Sequence, residues 1–172
     1  MAIPEIRFRG RAFRAHDPRW ACDPESGEGA GLHGGRFNPI GVESLYLSLS
    51  FESAWAEAQQ AFALKPQPLT LCGYEVHCER VVDLLDPSVR YAARITMAEL
   101  SCAWEDMLAR SITPPTHTLA KQLITDGVAG ILVPSFAPGG PDDGSNLVVW
   151  RWGRSLPHRI RCIDGQGRLS RP

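Results

Sequence analysis

The sequence has no paired cysteines, no long apolar run and little net charge, and each absence removes a class of function. Its net charge is -1 and its basic residues are dispersed, so it lacks the positive surface that nucleic-acid binding requires. Five cysteines and five histidines form no Cys-x-x-Cys or His-Glu-x-x-His motif, which argues against a bound metal. An odd cysteine count without a signal sequence or membrane span indicates a cytoplasmic protein with reduced thiols that does not contact membranes.

The length of 172 residues suffices to bury an apolar core in a single domain, 1–172. The apolar pattern predicts strands over 6–12, 44–48, 69–76, 81–84, 129–133 and 147–152, and helices from 51, over 96–110 and over 116–126. Because the strands do not alternate regularly with helices, we expect an α+β domain with mixed or antiparallel sheets and flanking helices. No Gly-x-Gly-x-x-Gly follows a strand, which argues against a Rossmann-type site.

Residues 26–41 read Ser-Gly-Glu-Gly-Ala-Gly-Leu-His-Gly-Gly-Arg-Phe-Asn-Pro-Ile-Gly. Seven of these sixteen residues are glycine or proline, so we expect a long loop rather than a packed element. Its backbone N–H groups would then be free to bind an anion. Arg36 adds a fixed cation to the loop, and Phe37 adds an aromatic ring.

Lysine is scarce, because sixteen of the eighteen basic residues are arginine. Codon composition accounts for most of this excess, but arginine also suits bidentate binding of phosphate or carboxylate. In the first strand, an alternation of period two places Arg14 on the apolar face with Ile6, Phe8 and Ala12. A buried guanidinium needs an anion or several acceptors. Arg14 is therefore expected either in an internal salt bridge or on a ligand phosphate.

The strand at 44–48 and the helix that follows it contribute two further candidates. Tyr46 projects opposite Leu45 and Leu47, where it either packs on the sheet or stacks on a nicotinamide or adenine ring. Ser50 is the predicted N-cap, and helical spacing predicts an apolar seam of Phe51, Trp55, Ala58 and Phe62. Glu57 lies at the margin of this seam, between Ala54 and Ala61. It is either an ordinary solvated glutamate or a carboxylate that points into a cleft.

A second turn-rich loop is predicted over 134–146. Ser135 follows a buried strand, where it either satisfies backbone groups or binds a ligand; no Gly-x-Ser-x-Gly motif suggests a nucleophile. Asn146 either supports this loop or is a simple turn residue. The basic segment 153–172 is expected to form an edge strand and a frayed end, which is either solvated or in contact with an acidic partner.

The motif Gly-Gly-Arg-Phe-Asn-x-x-Gly at 34–41, followed by Leu-Tyr-Leu-Ser at 45–48 and Ala-x-x-Glu at 54–57, resembles the RES-domain family. These proteins are the toxin partners of Xre-like antitoxins. Leu-Val-Pro-Ser-Phe at 132–136 extends the resemblance over most of the chain. It implies a fold similar to ADP-ribosyltransferases and cleavage of the nicotinamide–ribose bond of NAD, the substrate. The chain order Arg, Glu, Ser departs from the better-known ADP-ribosyltransferases, and Phe37 replaces a tryptophan common in RES relatives.

The resemblance implies catalytic roles for Arg36, Glu57 and Ser135. The implied NAD-binding residues are Arg14, Gly35, Arg36, Asn38, Tyr46, Ser135 and Asn146. We expect a toxin of a type II toxin–antitoxin pair that transfers ADP-ribose to a protein target, water or phosphate, with an Xre-like antitoxin as partner and a homodimer as its assembly. The alternatives are an enzyme that only depletes NAD, a nucleotide-binding module without catalysis, and an RNA-cleaving toxin. Near-neutral charge and the lack of a histidine pair weaken the last.

Overall fold

The computed structural model describes residues 2–60 and 67–169. The strands are β1 (Ile6–His16), β2 (Leu45–Ser48), β3 (Thr70–Asp83), β4 (Gly130–Pro134), β5 (Ser145–Val149) and β6 (His158–Cys162). The helices are α1 (Glu28–His33), α2 (Phe51–Gln59), α3 (Pro87–Ala92), α4 (Met97–Leu100), α5 (Trp104–Ala109) and α6 (Pro115–Thr125), with a 3₁₀ turn at Pro18–Trp20. None of the helices within these described ranges is long and apolar enough to cross a membrane.

The six strands form one mixed sheet in the order β1-β2-β5-β4-β3-β6. β3 and β4 are parallel, and the other neighbours are antiparallel. β1 also pairs with β3 along most of its length, so the sheet curls until β1, β2, β5, β4 and β3 close into a ring. The predicted α+β domain is confirmed, and β6 is the edge strand expected in the segment 153–172. Residues 170–172, which include Arg171, lie outside the described residues.

The sheet buries apolar side chains on both faces. One core fills the inside of the curl and includes Leu45, Leu47, Tyr74, Leu147 and Val149. The other packs the outer face of the sheet against the helices and includes Val82, Leu100, Leu123, Ile131 and Val148, with Tyr46 packed against it. The predicted alternation in β2 is therefore correct, because the two leucines and Tyr46 lie on opposite faces.

Three predicted elements differ in the structure. The segment 26–41 is not a loop throughout, because it contains α1. The predicted helix over 96–110 is broken into two helices, α4 and α5. α4 begins with a capping box between Thr96 and Glu99. The predicted strands over 69–76 and 81–84 are one strand, in which a register shift opposite Ile6–Phe8 accompanies the positive φ of 57° at Arg80. That shift is a β-bulge. In the sequence, a bulge interrupts the apolar alternation and therefore looks like a break between two strands.

The predicted apolar seam of α2 is wrong. Phe51 and Trp55 are 54% and 45% exposed, whereas Ser53 and Ala54 are buried; Ala61 and Phe62 lie outside the described residues. α2 packs on β1 and β2 through these small side chains, which allow the helix backbone to approach the sheet closely. This orientation turns Glu57 toward the sheet.

β1 confirms the predicted orientation of Arg14. Its even-numbered residues face the interior, with Ala12 and His16 buried and Arg14 half-buried. Ile6, which was expected on the same apolar face, is 40% exposed at the start of the strand. A guanidinium therefore lies at the edge of the interior core.

We expect Gly130→Ala to reduce stability. Gly130 begins β4, and a Cβ there would lie 2.6 Å from the backbone oxygen of Val148. Relieving this overlap requires β4 and β5 to separate, at a cost of about 1–3 kcal/mol in the free energy of unfolding. The matched control is Gly165→Ala, where no atom lies within 4 Å of the added Cβ. Urea unfolding of both variants measures the difference, and equal stabilities would contradict the packing described for β4 and β5.

Candidate active site

A cleft of about 380 Å³ opens where β1 and β2 diverge. The two strands pair only at Phe13 and Ser48, so the space beside this pair is closed by α2 and by the glycine-rich segment. The cleft is lined by Phe13, Arg14, Ala15, Gly29, Ala30, Gly34, Gly35, Tyr46, Leu47, Ser48, Ala54, Glu57, Ala58 and Asn146. Five residues predicted from the sequence therefore meet at one cleft: Arg14, Gly35, Tyr46, Glu57 and Asn146.

The carboxylate of Glu57 is fixed by neutral hydrogen-bond donors. Its Oε1 accepts from Ser135 Oγ at 2.7 Å and from Asn146 Nδ2 at 2.5 Å, and its Oε2 accepts from Gln60. Ser48 Oγ donates to Asn146 Oδ1 at 2.7 Å, which orients the amide. Glu57 forms no ion pair with any of the described residues. The cleft thus contains a carboxylate in a defined position that no salt bridge neutralises.

Ser135 satisfies backbone groups, as one of the two interpretations of the sequence expected, and it also binds Glu57. Its backbone N–H donates to the carbonyl of Gly144 at 2.8 Å, and its Oγ accepts from the N–H of Ala137 at 3.3 Å. The same hydroxyl donates to Glu57, so the side chain stabilises the loop and holds the carboxylate. Ser135 reaches the cleft through Glu57 and does not line it.

A tight turn over Gly35–Asn38 carries Arg36. Gly35 and Asn38 exchange backbone hydrogen bonds of 2.9 and 3.3 Å. Tyr46 Oη accepts from the N–H of Phe37 at 3.0 Å and donates to Asn38 Oδ1 at 2.7 Å. A Cβ on Gly35 would lie 2.6 Å from Tyr46 Oη, so glycine is required by this close approach. Burial raises the pKa of Tyr46, against the opposing hydrogen bond from Phe37, and the hydroxyl therefore stays protonated and donates.

Asn38 is fully buried beneath this turn and does not line the cleft. Its amide donates to the carbonyls of Ala30 and Val42 at 2.8 and 2.9 Å. The NAD contact predicted for Asn38 therefore has no support in this geometry. The side chain shapes the turn instead, because it ties the turn to the carbonyl of Ala30 in α1 and to that of Val42.

Arg36 is half-buried and points toward the helices. Its Nη1 donates to the carbonyls of Leu100 and Cys102 at 3.3 and 2.5 Å, where the chain passes from α4 to α5. Its guanidinium carbon lies 4.9 Å from the centre of the Phe136 ring, a cation–π distance. Burial lowers the pKa of Arg36, while Cys102 and Glu57 raise it. Among the described residues, no acidic group pairs with Arg36, and its Nε and Nη2 make no hydrogen bond.

Arg14 is also without a carboxylate partner among the described residues, so the salt bridge considered from the sequence is wrong. Its Nη1 donates to the carbonyls of Pro24 and Ser26 at 3.2 and 2.8 Å. Tyr74 Oη donates to the same Pro24 carbonyl at 2.6 Å. The cleft therefore has one guanidinium, that of Arg14, held by neutral acceptors, and its binding of a phosphate stays a prediction.

Sequence reasoning missed two residues of this site. Ser48 could have been found, because it ends β2 on the same strand as Tyr46 and is polar at a buried position. His117 gave no signal, since a single histidine within a helix belongs to no motif; its Nε2 lies 2.8 Å from the carbonyl oxygen of Gly35. Within the described residues, no group of three or more His, Cys, Asp and Glu side chains is placed to hold a metal ion.

Fold and cleft together define an α+β protein whose cleft contains the carboxylate of Glu57 and the guanidinium of Arg14, while Arg36 follows the lining residue Gly35 without lining the cleft itself. The chain belongs to the RES domain family, because a sequence model of the RES domain matches residues 11–171. The fold is also similar to that of a chain in the crystal structure of the M. tuberculosis MbcT–MbcA toxin–antitoxin complex, with a TM-score of 0.69 and 23% identity over 93% of this chain and 84% of that chain. No curated protein matches the sequence significantly.

We expect Tyr46→Phe to destabilise the domain, because it removes one acceptor and one donor from the turn that carries Arg36. The Phe37 N–H and Asn38 Oδ1 would each lose a buried partner, at a cost of about 1–3 kcal/mol. Tyr91→Phe is the matched control, since Tyr91 is 81% exposed. Chemical unfolding of the two variants compares them, and a Tyr46→Phe protein as stable as wild type would refute the hydrogen bonding assigned to this hydroxyl.

Proposed function

We propose that this protein is the toxin of a toxin–antitoxin pair and that it cleaves the nicotinamide–ribose bond of NAD in the cytoplasm. Membership of the RES domain family supports the toxin role. The similarity to a chain of a toxin–antitoxin complex supports an antitoxin partner, which we propose to be Xre-like. ADP-ribose is transferred to a protein side chain, water or phosphate. A homodimer within the complex remains part of the proposal.

The observation that carries the catalytic proposal is the carboxylate of Glu57, held by Ser135 and Asn146 at the cleft. Nicotinamide leaves NAD as a neutral group, and the bonding electrons pass to its pyridinium ring. The ribose then carries developing positive charge in a transition state similar to an oxocarbenium ion. A fixed carboxylate stabilises that charge or orients the nucleophile, which loses its proton as the new bond to C1′ forms.

The two guanidinium groups bind the pyrophosphate of NAD in this proposal. The Nε and Nη2 edge of Arg36 is available for a bidentate contact, because the carbonyls of Leu100 and Cys102 occupy Nη1. Arg14 contributes charge from β1, and Gly35, which lines the cleft, lets the ligand approach the backbone closely. The ring of Tyr46 packs against the dinucleotide. Ser135 and Asn146 orient Glu57; the contact with the ribose or the carboxamide expected of both falls to Asn146, which lines the cleft.

We expect Glu57→Gln to lower the turnover of NAD by about 100-fold, the usual scale for a positioned charge in a transition state. Glutamine keeps the shape and the acceptor for Ser135 and Asn146 but loses the negative charge. Glu52→Gln is the matched control on the same helix, because Glu52 is exposed in the first turn. Release of free nicotinamide measures both variants. Equal activity of Glu57→Gln and wild type would remove Glu57 from the mechanism.

The acceptor is identified with NAD labelled on its adenylate. Nicotinamide release with a labelled protein band from a cell extract would identify an ADP-ribosyltransferase. Release with labelled small molecules alone would identify an enzyme that only depletes NAD. Stoichiometric binding without release would indicate a nucleotide-binding module, and cleavage of added RNA would replace the proposal by a ribonuclease.

We expect Arg36→Lys to raise the KM for NAD by about 10-fold, which corresponds to the loss of one good charged hydrogen bond. Lysine keeps the charge but cannot bind the carbonyls at 100 and 102 and a phosphate at the same time. Arg110→Lys is the control, since Arg110 forms an exposed ion pair with Asp106. Steady-state kinetics of nicotinamide release separates KM from kcat, and an unchanged KM would contradict the proposed pyrophosphate contact.

A further inference from the structure

His117 is a buried histidine that the proposed mechanism does not use. It lies in the first turns of α6, is 4% exposed and is absent from the cleft lining. Its Nε2 lies 2.8 Å from the carbonyl oxygen of Gly35. A carbonyl can only accept, so Nε2 carries the hydrogen and donates. The Trp104 ring, with its centre 6.2 Å from that of the imidazole, packs nearby.

The turn that carries Arg36 is held from two sides. From the sheet, Tyr46 binds the N–H of Phe37, and Trp150 Nε1 donates to the Phe37 carbonyl at 3.0 Å. From the helices, His117 binds the carbonyl of Gly35, the peptide unit directly before Arg36. Within the turn, the N–H of Asn38 reaches that same carbonyl at 3.3 Å, a longer contact than the one from His117.

The side chain of Arg36 is bound to the same layer of helices, through the carbonyls of Leu100 and Cys102. The helical layer therefore holds both the peptide unit before Arg36 and the guanidinium of Arg36. Without the His117 contact, the Gly35 carbonyl would keep only the longer bond from Asn38, and this peptide would lose its hydrogen bond to α6. The free edge of the Arg36 guanidinium and the backbone at Gly35 would then move together relative to Glu57.

We propose that His117 is a positioning residue: by donating Nε2–H to the Gly35 carbonyl, it sets Gly35 and Arg36 for the anionic part of the substrate. This inference rests on the proposed cleavage of NAD. His117 does not exchange a proton with the substrate, because it is buried behind the turn. Its contribution is expressed in substrate affinity, whereas that of Glu57 is expressed in turnover.

Two amide replacements of different length test this role. Glutamine extends its amide nitrogen to the position of Nε2, whereas the asparagine amide is one methylene shorter. We expect His117→Gln to keep kcat/KM within about 3-fold of wild type, and His117→Asn and His117→Leu to lower it by about 10-fold, mainly through KM, which is the scale of one lost hydrogen bond to a buried carbonyl. An acid–base role would instead inactivate all three variants alike.

Hydrogen exchange of the backbone amides of 35–38 provides a readout that needs no activity. Exchange should accelerate in His117→Asn and His117→Leu, but not in His117→Gln. His77→Leu is the control, because His77 lies on β3 beside Glu79, away from the cleft. Equal exchange and equal KM in all variants would overturn the positioning role. A wild-type protein that releases no nicotinamide would refute the proposed function, while the exchange data would still show whether His117 orders the turn.

Discussion

The segment from Pro24 to Val42, which includes the glycine-rich residues 26–41, lies against the sheet. It has little regular structure apart from α1, so its buried carbonyl groups depend on side chains for hydrogen bonds. All but one of these donors lie outside the segment. Its carbonyls accept hydrogen bonds from Arg14, Tyr74, Trp152, Trp150 and His117, and from Asn38 within the segment. The shape of the cleft therefore follows from the pairing of buried backbone groups, and the segment is fixed despite its glycines.

The same constraint explains why two guanidinium groups, that of Arg14 in the cleft and that of Arg36 beside it, form no salt bridge among the described residues. Arg14 and Arg36 each donate from one guanidinium nitrogen to backbone carbonyls. These acceptors are neutral and do not balance the positive charge of the side chain. Partial burial makes such a charge costly, and the lowered pKa of Arg36 reflects this cost. An anionic ligand would provide the missing countercharge. Glu57 provides part of it, because its charge raises the pKa of Arg36, but the two side chains form no ion pair.

The sequence predicted local patterns well where one face of an element decides its orientation. The alternation in β1 placed Arg14 correctly, and the helix predicted over 116–126 corresponds to α6, Pro115–Thr125, which is followed by Gly127 with a positive φ of 79° that favours glycine. The prediction failed where tertiary contacts decide. α2 turns its larger apolar residues outward because only small side chains fit against β1 and β2. The helix over 96–110 breaks beside Cys102, whose carbonyl binds Arg36 from 66 residues away, and no local pattern encodes that contact.

The order Arg36, Glu57, Ser135 along the chain departs from that of the better-known ADP-ribosyltransferases, but strand register brings Glu57 and Ser135 together independently of that order. Asn146 lies opposite Ser48 in the pairing of β2 with β5, and opposite Val133 in the pairing of β4 with β5. Ser135 follows β4 two residues after Val133, so the same register brings it to the end of β5. α2 then needs only to follow β2 closely for Glu57 to meet both donors. Three distant segments therefore converge because two strand pairs share Asn146, and the carboxylate is held by the sheet rather than by a local motif.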